Sequence, residues 1–121
     1  MPHLVLEYSA NIIEKHAMDR LFRVCHETLA KELPTEINSC KSRALECSSY
    51  YVGSGEPGNA FIHAALKVLP GRTPEQLRHV GSKVMETLKS HFSESLQTLS
   101  LQITLEVVEL PSTYFKVTQT Q

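Results

Sequence analysis

The sequence has no tryptophan, few other aromatics and no surplus of either charge. Its 12 Lys and Arg stand against 13 Asp and Glu, for a formal net charge of -1. Both signs are spread along the chain, so neither a nucleic-acid footprint nor a membrane-surface patch is expected. Long hydrophobic runs are also missing, and no stretch approaches the ~20 apolar residues of a membrane span. The apolar start is a few residues long with no basic stretch before it, which argues against a signal peptide. Cysteine is scarce and odd in number: Cys25, Cys40 and Cys47, with no CxxC pair. These are expected to be reduced thiols of a cytoplasmic protein. The six histidines fall in no HxH, HExxH or paired Cys/His spacing, so no metal is expected. Cys25 and His26 are adjacent, but helix neighbours point about 100° apart, which disfavours a thiolate pair.

What is present is a regular alternation of strands and helices. The 121 residues suit a single domain with a two-layer core, residues 1–121. Residues 2–8 read as a strand, nearly continuous in apolar character as if buried on both faces. Asn11 and Glu14 have the spacing of a capping box, and Ile13, Ala17, Leu21, Cys25 and Leu29 follow at helical spacing until Pro34. Residues 37–52 read as a long strand, with Lys41 and Arg43 two apart and so on one face. Residues 53–58, Gly-Ser-Gly-Glu-Pro-Gly, form a loop. Residues 59–69 are a second clear strand, with Ala60, Ile62, Ala64, Leu66 and Val68 on one face and His63 and Lys67 on the other. Thr73, Pro74 and Gln76 give a well-formed helix start. The stripe Leu77, Val80, Val84, Leu88, Phe92, Leu96, Leu99 reads as core, because the sheet needs that cover. Leu101, Ile103, Leu105 and Val107 alternate as the last strand, Leu110-Pro111 ends it, and a polar tail follows.

The order is β-α-β twice, in halves of about 1–52 and 59–110. Strand–helix–strand units prefer parallel pairs. Two of them give an α/β (or α+β) fold, a four-stranded sheet with both helices on one face. The uncovered face is then expected to be buried by other copies of the chain in a closed ring.

Chemistry points to the start of the chain. By itself Pro2 reads as a proline at a strand's first position, where its missing N–H does no harm. If Met1 is removed, Pro2 carries a free secondary amine. A free α-amine titrates near ~8. Burial or neighbouring cations would pull it toward neutrality and make it a base able to take a proton from carbon. Arg72 alone reads as a solvated residue before a helix cap, and Lys41 and Arg43 as an exposed strand face. The helix start after Arg72 offers amide groups and a dipole that favour an anion.

Pro2-His3, the turn Ser9-Ala10-Asn11-Ile12, the strand Phe61-Ile62-His63, the pair Leu66-Lys67, Gly71-Arg72-Thr73 and the tail from Leu110-Pro111 to Phe115-Lys116 together resemble the tautomerase superfamily. Within it the chain is most similar to the 5-carboxymethyl-2-hydroxymuconate isomerases. The resemblance implies a cofactor-free homotrimer of β-α-β-β-α-β subunits. It implies that Pro2, freed of Met1, moves a proton between carbons of an unsaturated di- or tricarboxylate keto acid in aromatic-compound (homoprotocatechuate) degradation. It implies substrate binding by Arg72. The family's strand-two arginine falls at Lys41, a departure that Arg43 on the same face could make good. A lysine holds a carboxylate as a point charge rather than by a planar fork, so looser binding is expected there. A superfamily relative with a different keto acid, or with a binding role only, is the alternative. RNA-recognition modules share the element order, but the strand at residues 59–66 lacks their glycine-aromatic pattern and the chain lacks a basic face.

Overall fold

The computed structural model describes residues 1–119. Its strands are β1 (His3–Ser9), β2 (Lys41–Cys47), β3 (Asn59–Val68) and β4 (Ser100–Glu109). Its helices are α1 (Met18–Glu32), α2 (Pro74–His91) and α3 (Ser93–Thr98), with a 3-10 turn at Ile37–Ser39. The sheet order is β2-β1-β3-β4. β1 and β2 are parallel, as are β3 and β4, while β1 and β3 run antiparallel at the centre. Each strand–helix–strand half is therefore a parallel pair, and the two halves meet back to back.

Alternation along the strands sorts the sheet into two faces. Leu4, Leu6 and Tyr8 of β1 and Ala60, Ile62, Ala64, Leu66 and Val68 of β3 are buried on one of them. Leu21, Cys25 and Leu29 of α1 and Val80, Val84 and Leu88 of α2 complete this core. Both helices thus cover the same face, as the sequence pattern predicts. On the other face of β1, His3 and Val5 are only half-buried and Glu7 is exposed. Within one chain, burial of β1 on both faces is therefore not achieved.

Three boundaries differ from expectation. The Asn11–Glu14 capping box does not form: α1 starts at Met18, and its N-cap, Ala17, has no side-chain cap. Asn11 instead donates its amide to the Asn59 carbonyl at 3.0 Å. Glu14 accepts from the Ser95 N–H at 3.0 Å and the Ser95 hydroxyl at 2.5 Å. Its carboxylate therefore sits at the first turn of α3, where orphan amides and the dipole favour an anion. The second strand is shorter than 37–52, because its start is wound into the 3-10 turn and its pairing with β1 ends at Cys47. The long apolar stripe is broken at the fully buried Phe92, whose non-helical conformation (φ -98°, ψ 26°) separates α2 from α3. By contrast, the Thr73–Gln76 capping box is present in both directions.

Candidate active site

The first residues lie where β1, β2, the β3–α2 loop and the C-terminal segment converge. The Lys41 N–H donates to the Pro2 carbonyl at 3.0 Å, so Pro2 extends the β1–β2 ladder by one step. Pro2 is buried and Met1 half-buried. With Met1 attached, the proline nitrogen is an amide and the amine belongs to Met1. The pKa of that amine is lowered, first by burial and then by the Arg72 guanidinium, with Lys116 and Lys41 acting in the same sense. A Cys40 thiolate would oppose them, but burial raises the pKa of that thiol and keeps it protonated and uncharged.

Arg72 reaches this point because of the turn before it. Gly71 has φ +116°, a left-handed conformation that suits a residue without Cβ. The guanidinium donates to the Leu69 carbonyl at 3.2 Å and the Leu33 carbonyl at 2.9 Å. Leu33 is the C-cap of α1, where the partial negative charge of the helix end favours a cation. Those bonds use part of a five-donor fork. The remaining N–H groups are held in place by the two that are bound. The α2 start contributes less than the sequence suggests. The N–H groups of Thr73 and Gln76 are taken by the capping box, and Pro74 has none.

Lys41 is exposed and its ammonium donates to the Ser39 carbonyl at 3.0 Å. Arg43 lies one alternation further along β2, on the same open face, opposite Val5. Its guanidinium donates to His3 Nδ1 at 3.3 Å. Since Nδ1 must accept, the ring proton sits on Nε2, which faces the Tyr114 hydroxyl at 2.8 Å. Burial first, then Arg43 and Lys41, lowers the His3 pKa. The structure thus gathers Pro2, Lys41 and Arg72 about the amine and places Arg43 one step away, tied to His3.

The part the sequence pattern missed is the tail. After β4, the Leu110 N–H donates to the Val68 carbonyl at 2.7 Å, and Tyr114 docks edge-on against His3. Lys116 then brings its ammonium to 3.4 Å from Met1 Sδ. Tail, Met1, Lys41 and the 3-10 turn enclose a groove of about 670 Å³. Tyr114, an aromatic in a mostly polar tail, was the available sign that it docks; its neighbour Phe115 stays exposed.

The profile of the 5-carboxymethyl-2-hydroxymuconate isomerase family matches residues 2–120. The chain belongs to that family. The 5-carboxymethyl-2-hydroxymuconate Delta-isomerase of Escherichia coli is 30% identical over 117 residues, spanning 96% of this chain and 93% of that protein. The crystal structure of a 5-carboxymethyl-2-hydroxymuconate isomerase from Deinococcus radiodurans R1 superposes with a TM-score of 0.86 at 28% identity, covering 95% of this chain and 88% of that one. A fused 4-OT described as a symmetric trimer shares the fold at 15% identity, with a TM-score of 0.70 over 95% of this chain and 90% of its own. The fold is thus a four-stranded tautomerase-type sheet, and the chain is an isomerase of this family by membership. Among the described residues no cluster of three or more His, Cys, Asp or Glu side chains could hold a metal ion. No helix among them is long and apolar enough to cross a membrane. Cys25, Cys40 and Cys47 are free, and burial pushes the Cys25 thiol up to about 12, which makes it inert packing rather than a nucleophile.

Proposed function

We propose that the chain, after loss of Met1, is a cofactor-independent isomerase in which the Pro2 amine moves a proton between carbons of an unsaturated hydroxy or keto di- or tricarboxylate. The substrate to test first is 5-carboxymethyl-2-hydroxymuconate, as formed in homoprotocatechuate degradation. What supports this reading is the convergence of Arg72, Lys116 and Lys41 on the amino terminus, beside a buried Pro2 whose carbonyl is bonded to the Lys41 N–H. Desolvation and positive charge together favour the neutral amine. In that form its lone pair accepts a proton from the dienol, and the resulting ammonium returns it at another carbon, so the atoms of substrate and product are the same. Arg72 grips a carboxylate with the donors left over from its two carbonyls. Lys41, with Arg43 beside it, adds charge that stabilises the dienolate as it forms. Lys41 in place of an arginine favours a substrate whose second carboxylate needs charge rather than a planar grip.

The open sheet face supports assembly. Val5, Ala65, Phe61 and the half-exposed Leu45 lie on it among charged neighbours. We place this face against two further copies in a homotrimer, the state for which the fused 4-OT of the same fold is named. Native mass spectrometry should then give three times the 13.6 kDa of the chain.

The test of the chemistry is twofold. Intact mass should show loss of Met1, and ketonisation of the dienol should be followed in the ultraviolet. Pro2→Ala replaces a rigid secondary amine by a flexible primary one, and kcat should fall at least about 10²-fold, the scale of general acid–base catalysis, with KM little changed. An unchanged kcat removes Pro2 from the reaction. A processed protein inactive on every dienol favours a binding role instead.

A further inference from the structure

We propose that Lys116, carried on the C-terminal segment, is a substrate-binding residue that takes the carboxylate farthest from Arg72. The inference rests on the reading of the amino-terminal groove as a carboxylate site and names what completes it. Three observations meet at this residue. First, the segment is placed from this same chain: it is pinned by the Leu110–Val68 backbone bond at one end and by Tyr114 on His3 just before Lys116. Second, the polar partner of the Lys116 ammonium is the Met1 thioether at 3.4 Å. Sulfur in a thioether is a weak acceptor, and it leaves when Met1 is removed. Among the described residues Lys116 makes no salt bridge with any carboxylate. Processing therefore uncovers the amine and, in the same step, an ammonium without a strong partner at the mouth of the groove. Third, the groove is lined by Lys41 on β2 and Lys116 on the tail, with Glu36, just before the 3-10 turn, as its one carboxylate, so its lining side chains carry an excess of one positive charge. Lys116 also lowers the amine pKa through space, ahead of Lys41, so it acts at the same point.

The three cations differ in kind. Arg72 is fixed by two carbonyls and suits the carboxylate next to the reacting carbons, where orientation matters. Lys116 sits on an exposed segment and reaches by a flexible stem. Such a group recognises that a second carboxylate is present without dictating its angle. The proposed substrate class is accordingly a dienol with carboxylates at both ends, and Lys116 separates it from a monocarboxylate of the same length.

The experiment compares wild type, Lys116→Ala, Lys116→Arg and a charge control, Lys83→Ala, whose side chain is exposed on α2. All are processed to Pro2 and titrated calorimetrically with adipate and with hexanoate. Lys116→Ala should weaken adipate binding about tenfold, which corresponds to ~1.4 kcal/mol, and leave hexanoate unchanged. Lys116→Arg should restore adipate binding, and Lys83→Ala should alter neither ligand. On a dicarboxylate dienol the same loss should appear in KM with kcat nearly constant. Equal adipate affinity in wild type and Lys116→Ala overturns the proposal, as does an equal loss for both ligands or the absence of adipate binding in wild type. A protein that binds adipate through Lys116 and turns over no dienol overturns the isomerase reading alone.

Discussion

Arg72 has two duties in this structure, and they can be separated. It ties the end of α1 to the β3–α2 loop through the Leu33 and Leu69 carbonyls, and in the proposed reaction it grips a carboxylate. Arg72→Ala abolishes both. Two partly buried carbonyls lose a charged donor, at about 1 kcal/mol each once water replaces it, or about 2 kcal/mol in all. For a chain of this length that lowers Tm by about 8 °C. The carboxylate loses two charge-assisted hydrogen bonds, which at a solvent-accessible site amounts to about 3 kcal/mol, a rise in KM of about 150-fold. Arg72→Lys keeps a charge and can hold one carbonyl, so Tm should fall by about half as much and KM should rise about tenfold.

A third readout follows from the amine. Around the Met1 amine, Arg72 is the charged group that lowers the pKa most, after burial, and loss of Met1 leaves Pro2 beside the same guanidinium. The base works when neutral, so kcat/KM falls as pH drops through its pKa, and with the same burial and cations around the Pro2 amine the acid limb should lie below the ~8 of a free α-amine. Removing Arg72 raises the pKa and moves the limb to higher pH. The assays are thermal unfolding by circular dichroism and kcat/KM between pH 5 and 9, both on protein shown by mass to start at Pro2. A lower Tm with KM and the acid limb unmoved makes Arg72 a staple only and refutes its place in the site. An unmoved Tm with raised KM refutes the tie to Leu33 and Leu69.

Two further expectations concern the fold. Glu14→Ala strands the buried Ser95 N–H and hydroxyl, so urea unfolding should show a loss of about 2–4 kcal/mol, with Glu14→Gln recovering part of it; equal stability of all three proteins would sink the assignment of Glu14 as the cap of α3. His3, His26 and His91 all have pKa values lowered below 6.5, chiefly by burial, so the folded chain binds fewer protons than the unfolded one just below that pH. Stability should therefore decline as pH falls from 7 through 6.5 toward their folded pKa values, and a flat denaturation midpoint from pH 7.5 to 5.5 would contradict it.

Local grammar was legible where it is self-contained. Thr73-Pro74-x-Gln76 needs nothing outside its own turn, and it caps α2 as read. The alternation at residues 60–68 fixes which side of β3 is core whatever the rest of the chain does, and those five residues are buried. Asn11 and Glu14 have the same spacing as a capping box, yet their partners are Asn59 and Ser95, 48 and 81 residues away in sequence. A short polar side chain bonds whichever backbone group the tertiary structure brings near, and a single sequence does not encode that choice locally. The stripe through Phe92 misled for a related reason: a residue can be core and still end a helix. In the proposed site, Pro2, Arg72 and Lys41 were named through the resemblance, while the two-residue period of a strand said only that Lys41 and Arg43 share a face. Lys116 was not, since an aromatic in a mostly polar tail signals docking without saying that its partner is His3, 111 residues away.

The arrangement gives a physical reason for the spread of basic residues over β2, the β3–α2 loop and the C-terminal segment. A base at the end of a chain is neutral only if it is kept from water or crowded by positive charge, and a carboxylate substrate brings negative charge that works against the second device. Substrate seated over the amine keeps water away from it, and burial is the largest single cause of the lowered pKa of the chain amine in the unprocessed protein. Arg72, Lys41 and Lys116 can therefore each be neutralised by a carboxylate without the amine regaining its full affinity for a proton. Were charge the main device, a saturating dicarboxylate would raise the amine pKa toward its free value and the enzyme would inhibit itself by binding. If burial does the same for the Pro2 amine, the acid limb of kcat, which reports the bound enzyme, should lie close to that of kcat/KM, which reports the free one.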